Sequence, residues 1–437
     1  MSTLTDLWNP WLRRAVLLSL AIFLGVTGVR FVRSVLRSAD GTGHGTALSD
    51  YLRAGDGVDS EPLYDANFSY PPIFAVGMEP LAELPLGVAA TVWFLFQVGV
   101  LGATAYFALR LLRAAAVPHA ELVLWIALIA SSRFLLNNLT HGNVNSLVLM
   151  LVLASADWLG RGALARAGLA ISAAASIKLL PLIFLPMLAA RRAWRSVAGL
   201  AVGLLVCNAL LPALWLGAER AIELSVAWYE KMIEPFYQAS AVSTDERNLA
   251  LAAAIDRHFT DGTMEHFDPT PTPLHVDLLT PASANFVTKV LLGGIVICVL
   301  TLSFRARRDR SPRRFLVEAA LALLTMLLIS PKTWKAHFVW ILPAYLVLIS
   351  KIIEEWQIRT ASARATRFGL AAIIVAGAAS SRGIVGLQAS EWLHDLSIET
   401  LVVLGLWVLI AREGWRSVEP NVASNEHRLM MEPRPIS

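Results

Sequence analysis

Apolar runs long enough to cross a bilayer alternate with short polar connectors along almost the whole chain. The runs fall at 14–32, 88–109, 121–138, 144–160, 166–178, 180–190, 196–216, 286–304, 314–330, 336–352, 368–386 and 397–411. A full crossing takes about 20 apolar residues. The fifth and sixth runs are short, each covering about half of the hydrocarbon at about 1.5 Å per residue. They read as two arms of one re-entrant hairpin with Lys178 at its tip. The pattern predicts an all-α polytopic membrane protein of about 12 transmembrane or re-entrant helices. The first run has a basic flank, Arg13 and Arg14, and no small-residue cleavage site after it, so it reads as a retained span. The stretch "PPIFAVGMEPLAELP" is also apolar, but its prolines and its carboxylates, Glu79 and Glu83, suit a helix lying at the surface better than a span.

Composition agrees. Of 437 residues, 56% are hydrophobic and 16% charged, against about 25% charged in soluble domains. The mean hydropathy is +0.58. Cys207 and Cys298 lie in separate apolar runs, and they make neither a disulfide framework nor a metal motif. There is no Gly-rich phosphate loop, Cys/His zinc spacing or Gly-x-Ser-x-Gly elbow, so nucleotide-driven chemistry has no visible seat.

Charge sets the orientation. With the N-terminus in the cytoplasm, the inner connectors hold Arg110 and Arg113, Arg161 and Arg166, Arg191, Arg192 and Arg195, and the six arginines of "RARRDRSPRR". Basic inner loops are the rule for membrane proteins. Reading 168–190 as a single span moves that arginine-rich connector outside, which disfavours it. The outer side then receives the loop 33–87, "SRFLLNNLTHGNVN", Lys178, the region 217–285, "SPKTWKAHF" and "SSRGIVGLQASEWLHDLS". The chain reads as one integral membrane unit: a catalytic module over 14–216 with its outer loop, an extracytoplasmic region over 217–285, and C-terminal helices over 286–411. A polar, mixed-charge tail from Val418 is expected to be disordered.

The candidate chemistry gathers on the outer side. The first loop is rich in Asp, including Asp40 and Asp50, and a carboxylate there can act as a general base, bind a cation or simply be solvated. Asp50 opens a short amphipathic stretch and could equally cap a helix. Arg133, His141, Asn143 and Asn145 lie at the end of a span, where amides suit hydroxyl-rich ligands or helix capping. Lys332, Trp334 and His337 sit between two spans; Lys and Trp are ordinary interface anchors, which leaves His337 less explained. A cation at bilayer depth costs about 2.5–3.5 kcal/mol. For Lys178 the natural partner is a lipid phosphate, and the alternative is an internal pair with a carboxylate.

Four stretches occur in order: "YLRAGDGVDSEPLYDANFSYPPIFAVGMEPLAELP", "NNLTHGNVN", "AGLAISAAASIKLLPLIFLPMLAARRAWRSVAG" and "SPKTWKAHFVWILPA". Together they resemble the polyprenol-phosphate-mannose-dependent mannosyltransferases of glycosyltransferase family 87, in the GT-C superfamily. The resemblance covers roughly residues 40–345. The family's Asp-then-Tyr and Tyr-Pro-Pro match Asp50, Tyr51 and Tyr70-Pro71-Pro72, though Asp50 lies closer to its Tyr than is usual, which leaves Asp40 as a rival base. Its Gly-Gln-x-Asn appears as Gly142-Asn143-Val144-Asn145, and its Lys before Pro as Lys178 and Pro181. Its Ser-Pro…Trp-x-His-His appears as Ser330-Pro331…Trp334-Lys335-Ala336-His337, with the first His lost.

The resemblance implies a GT-C-type fold and transfer of a hexose, mannose by preference. The donor would be a polyprenyl-phosphate sugar and the acceptor a lipid-linked or envelope glycan outside the cytoplasm, with inversion. It implies Asp50 or Asp40 as base. Lys178, His337, Lys332 and Arg133 would attend the donor phosphate, and Tyr51, Tyr70, His141, Asn143, Asn145 and Trp334 the sugar or acceptor. No cofactor or metal is expected, because a donor linked through one phosphate leaves as a lipid monophosphate. Membrane lipids are the expected surroundings, a bacterial inner membrane the expected location with both termini cytoplasmic, and nucleic acid is not an expected partner. A lipid or sugar flippase or transporter is the rival reading, but one hairpin with no counterpart in a second half argues against it.

Overall fold

The computed structural model describes residues 10–40, 45–59, 62–65, 68–235, 248–260, 276–356, 358 and 360–416. The expected tail from Val418 and part of the 217–285 region lie outside them. Every described element is helical. In chain order these are α1 (Pro10–Ala39), α2 (Ala47–Asp56), α3 (Pro72–Ala82), α4 (Leu86–Ala114), α5 (Ala120–His141), α6 (Asn145–Gly160), α7 (Leu164–Ile177) and α8 (Leu180–Ala190). Then follow α9 (Trp194–Leu216), α10 (Ala218–Trp228), α11 (Leu251–Phe259), α12 (Pro281–Arg305), α13 (Pro312–Ile329), α14 (Lys335–Glu354), α15 (Ala361–Ala379), α16 (Leu387–Asp395) and α17 (Ile398–Arg416). A helix occupies each of the twelve apolar runs. Among the described residues, six helices are long and apolar enough to cross a membrane, or seven if the pair α16 and α17, bent by 57°, is one span. "PPIFAVGMEPLAELP" forms the short helix α3, with Phe74, Val76 and Met78 buried.

Local signals explain the boundaries. Thr280-Pro281 and Ser311-Pro312 open α12 and α13, the hydroxyl taking an N-terminal N–H and the proline filling the first turn. Thr46 caps α2 by accepting from the Ser49 N–H, so Asp50 sits within the first turn and is not the cap. Gly142 ends α5 with φ +72°, and a Cβ there would lie 3.1 Å from the Phe31 ring.

α13 and the apolar part of α14 form the centre of the molecule: Leu316 to Leu328 and Phe338 to Leu348 are buried almost throughout. A helix apolar on every side belongs inside such a bundle. α1, α9 and α12 stand at the periphery, with Leu18, Leu205 and Ile297 exposed.

The α7–α8 segment decides between the two readings of residues 168–190. A Cβ on Gly199 would strike the Ala165 carbonyl, one on Gly168 the Ser196 carbonyl, and one on Gly203 the Ser172 hydroxyl. Further on, Asn208 Nδ2 donates to Ser176 Oγ at 2.8 Å. Both numbers rise together, so α7 and α9 run parallel at close range. Small residues permit that approach. Parallel neighbours require α8 to carry the chain back between them. The chain therefore reverses at Lys178, whose backbone is extended.

Reversal sorts the charges into two ends. At one end Arg110 meets Asp157 at 2.9 Å, Arg161 meets Asp157 at 3.1 Å, Arg191 meets Glu318 at 2.6 Å, Arg314 meets Glu318 at 3.0 Å and Arg313 meets Glu354 at 2.7 Å. These are the connectors that charge counting groups together. The opposite end holds the start of α4, the end of α5, Lys178 and the start of α14, covered by α2 and α3.

Candidate active site

The site is built around aromatic rings. α2 is amphipathic, burying Leu48, Tyr51 and Ala54. It crosses α3 closely at Gly55, where a Cβ would lie 2.7 Å from the Met78 carbonyl carbon. That crossing seats Tyr51 edge-on against Tyr70, Phe74 and Trp93, with centroids 5.2, 4.9 and 5.8 Å apart. The Tyr51 and Tyr70 hydroxyls share a hydrogen bond of 2.8 Å.

Lys178 projects into this frame. Its Nζ lies 5.5 Å from the Tyr70 ring centroid and 6.0 Å from that of Trp340, within cation–π range. Its Nζ is 2.6 Å from His337 Nε2. The His337 Nδ1 accepts from the Trp334 N–H at 2.8 Å, which turns the Nε2 edge toward Lys178. Among the described residues no carboxylate lies within ion-pair distance of Lys178.

Asp50 reaches the same frame from the other side. It is half-buried and 3.7 Å from the Arg53 guanidinium. Burial raises its carboxyl above the usual range, and Arg53 opposes that shift. Tyr70 is pushed up to about 12, by burial first, with the hydrogen bond from Tyr51 lowering it and the Asp50 charge raising it. Tyr51 is raised by burial and, among smaller causes, by the same carboxylate. The paired phenols and the ammonium thus follow one another across a single aromatic wall, with the Asp50 carboxylate near enough to raise both phenols.

A second layer fixes the wall. Trp340 Nε1 donates to the Asn145 carbonyl at 3.0 Å. Asn138 Nδ2 donates to the Asn143 carbonyl and to Ser146 Oγ, both at 2.9 Å. The Asn145 side chain is fully buried, and neither its oxygen nor its nitrogen has a partner among the described residues.

The comparisons with known proteins match these elements. A family model described as glycosyltransferase family 87 covers residues 68–331. The chain belongs to glycosyltransferase family 87. Two relatives carry the name polyprenol-phosphate-mannose-dependent alpha-(1-2)-phosphatidylinositol pentamannoside mannosyltransferase. The one from Mycolicibacterium smegmatis is 28% identical over 327 residues, which is 71% of this chain and 66% of the relative. The one from Mycobacterium tuberculosis is 25% identical over 336 residues, 76% of this chain and 69% of the relative. The chain thus spans about two thirds of the length of these relatives.

Within this family 87 chain the structure brings together Tyr51, Tyr70, Lys178 and His337, with the Asn145 backbone behind Trp340, while Asp50, next to Tyr51 in α2, makes its contact with Arg53. Other residues named from the sequence stand apart. Asp40 is exposed at the end of α1, and only its backbone N–H is engaged, to the Leu36 carbonyl. Lys332 is exposed, 4.7 Å over the Trp334 ring. Trp334 meets the site through its backbone N–H. His141 is exposed, its Nδ1 2.8 Å from the Asn137 carbonyl, and Asn143 contributes its carbonyl to the second layer. Arg133 is engaged elsewhere. It donates to the Gly377 carbonyl and to Ser380, and faces Glu399 at 3.6 Å.

Sequence reasoning missed Phe74, Trp93 and Trp340 as wall residues. Each lies inside an apolar helix, where an aromatic ring reads as ordinary core. One faint signal existed: Trp340 falls three residues after His337.

Proposed function

We propose that this family 87 protein transfers a hexose, mannose by the names of its relatives, from a polyprenyl-phosphate donor to a hydroxyl of a lipid-linked or envelope glycan. What supports this reading is Lys178 over the Tyr70 ring, with the Tyr70 hydroxyl bonded to Tyr51, the neighbour of Asp50 in α2. Lys178 would meet the donor phosphate. No carboxylate among the described residues already neutralises it, and His337 presents a ring nitrogen beside it. Asp50 would take the proton of the acceptor hydroxyl as its oxygen attacks the anomeric carbon. The bond from that carbon to the phosphate oxygen breaks, and polyprenyl phosphate leaves with the electron pair. The preplaced ammonium stabilises the charge as it develops. One base and a direct displacement give inversion. The tyrosine and tryptophan faces suit the apolar faces of sugar rings.

In this reading the site end faces away from the cytoplasm and the arginine end faces it, following the charge bias of inner connectors. A bacterial inner membrane is the proposed location, with both termini cytoplasmic. The test is transfer of radiolabelled mannose from polyprenyl-phosphate-mannose by the purified full chain in detergent. Product without a sealed membrane excludes a flippase or transporter. Lys178→Ala is expected to lower transfer by at least 100-fold while the protein still melts cooperatively; full activity in that variant overturns the phosphate role. Cysteines placed at Arg192 and at Asp59 test the orientation. Only the latter is expected to react with a membrane-impermeant maleimide added outside.

A further inference from the structure

α9 carries a polar side chain among lipid-facing ones. Val202, Leu205, Leu210, Leu211 and Leu214 are exposed and apolar, and Asn208 lies half-buried between them. Pro212, four residues on, has no N–H to give the Asn208 carbonyl, and its ring crowds that carbonyl. The helix responds with a wide π turn over Val206–Leu210, in which the Leu211 N–H reaches the Val206 carbonyl. Such turns frequently mark functional sites.

The π turn packs on α7 and α3 and sets Asn208 against the reversing hairpin. Its Nδ2 donates to Ser176 Oγ at 2.8 Å and to the Leu204 carbonyl at 3.1 Å. Both amide hydrogens are used, and Oδ1 has no partner among the described residues. Ser176 is buried, accepts from Asn208, and gives its own hydroxyl hydrogen to no other described residue. It stands two residues before Lys178. A bond that only glued two helices would need neither the bend nor the acceptor and donor left over.

Resting on the donor assigned above, we propose that Ser176 and Asn208 form a second polar contact for the polyprenyl-phosphate sugar, reached from the lipid along α9. The Ser176 hydroxyl supplies a donor for a phosphoryl oxygen. The Asn208 carbonyl oxygen supplies an acceptor for a hydroxyl of the attached sugar. The pair acts on binding and leaves the bond-breaking step to the Lys178 side.

The experiment measures mannose transfer, binding of unlabelled polyprenyl phosphate by thermophoresis, and melting temperature, all on the full chain in detergent. Asn208→Leu is expected to raise the donor KM at least fivefold with kcat within twofold. It should leave binding of polyprenyl phosphate, which carries no sugar, within twofold and the melting temperature within about two degrees. Asn208→Gln is expected to recover much of the loss. Ser176→Ala, the smaller change, should weaken polyprenyl phosphate binding at least threefold and serves if Asn208→Leu does not fold. Unchanged KM in Asn208→Leu and unchanged binding in Ser176→Ala, with or without a lowered melting temperature, overturn the proposal and leave a packing contact only. If the wild-type chain transfers nothing from this donor, the activity reading fails, and the Ser176→Ala binding measurement still decides the phosphate contact.

Discussion

Asp50 and Asp40 separate at the level of single side chains. Asp50 is half-buried and its charge helps to keep the Tyr51 and Tyr70 hydroxyls protonated, whereas Asp40 is exposed at the end of α1. Asp50→Asn is expected to lower transfer by at least 100-fold and Asp40→Asn by less than twofold, measured side by side with saturating donor. The reverse order would move the base to Asp40. The pH dependence has a definite sign. A base works when ionised, and burial raises the Asp50 pKa. The acid limb of the rate profile should therefore lie above the ordinary Asp value of about 3.9. Arg53 favours the ionised form, so Arg53→Ala should move that limb to still higher pH.

Several of these residues were legible in the sequence because their surroundings contradicted them: Lys178 in an apolar run, His337 among interface anchors, Asp50 beside a tyrosine. Arg133 shows the limit. A cation near a polar motif looks available until the fold delivers its partners, and here those partners lie 244 and more residues away, on Gly377 and Ser380.

Among the elements, the parallel pair α7 and α9 bears the most weight, since it fixes where the chain reverses. Run length showed two short arms over 166–190, and the arginine-rich connector that a single span would move outside disfavoured one crossing. The direction of return needed Gly168 and Gly199 against the opposite backbone and Gly203 against the Ser172 side chain, a pairing that period and composition do not encode. Gly199→Leu should drive a side chain into the Ala165 carbonyl and cost about 1–3 kcal/mol as overpacking. A melting temperature several degrees lower, together with reduced transfer, is the expected result. The helical nature of each run was plain from hydropathy. The number of full crossings was not, because α6, α7 and α8 are apolar but short.

Across the whole molecule, charge is divided between a site end where no described carboxylate pairs with Lys178 and an opposite end where Asp157, Glu318 and Glu354 each pair with arginines. At the latter, Glu318 is 5% exposed and lies between Arg191 and Arg314. Removing one member of a buried ionic group costs about 3–5 kcal/mol, because the others stay buried without compensation. Glu318→Ala is therefore expected to reduce the yield of folded protein sharply, read by size-exclusion of detergent extracts, without any contact to the transfer chemistry. The positive-inside pattern made this end visible as a group of arginines, but the pairing of Arg191 with Glu318, 127 residues away, was not.

The rings around Lys178 have a kinetic consequence. Tyrosine and tryptophan faces hold an ammonium without cancelling its charge, so affinity there grows with the negative charge of whatever arrives. A phosphodiester brings one negative charge, and a phosphate monoester about 1.5 to 2 at neutral pH. The spent carrier lipid would therefore bind more tightly than the loaded one. Its departure would limit turnover, and added polyprenyl phosphate would inhibit competitively, with an inhibition constant below the KM of the mannosylated form.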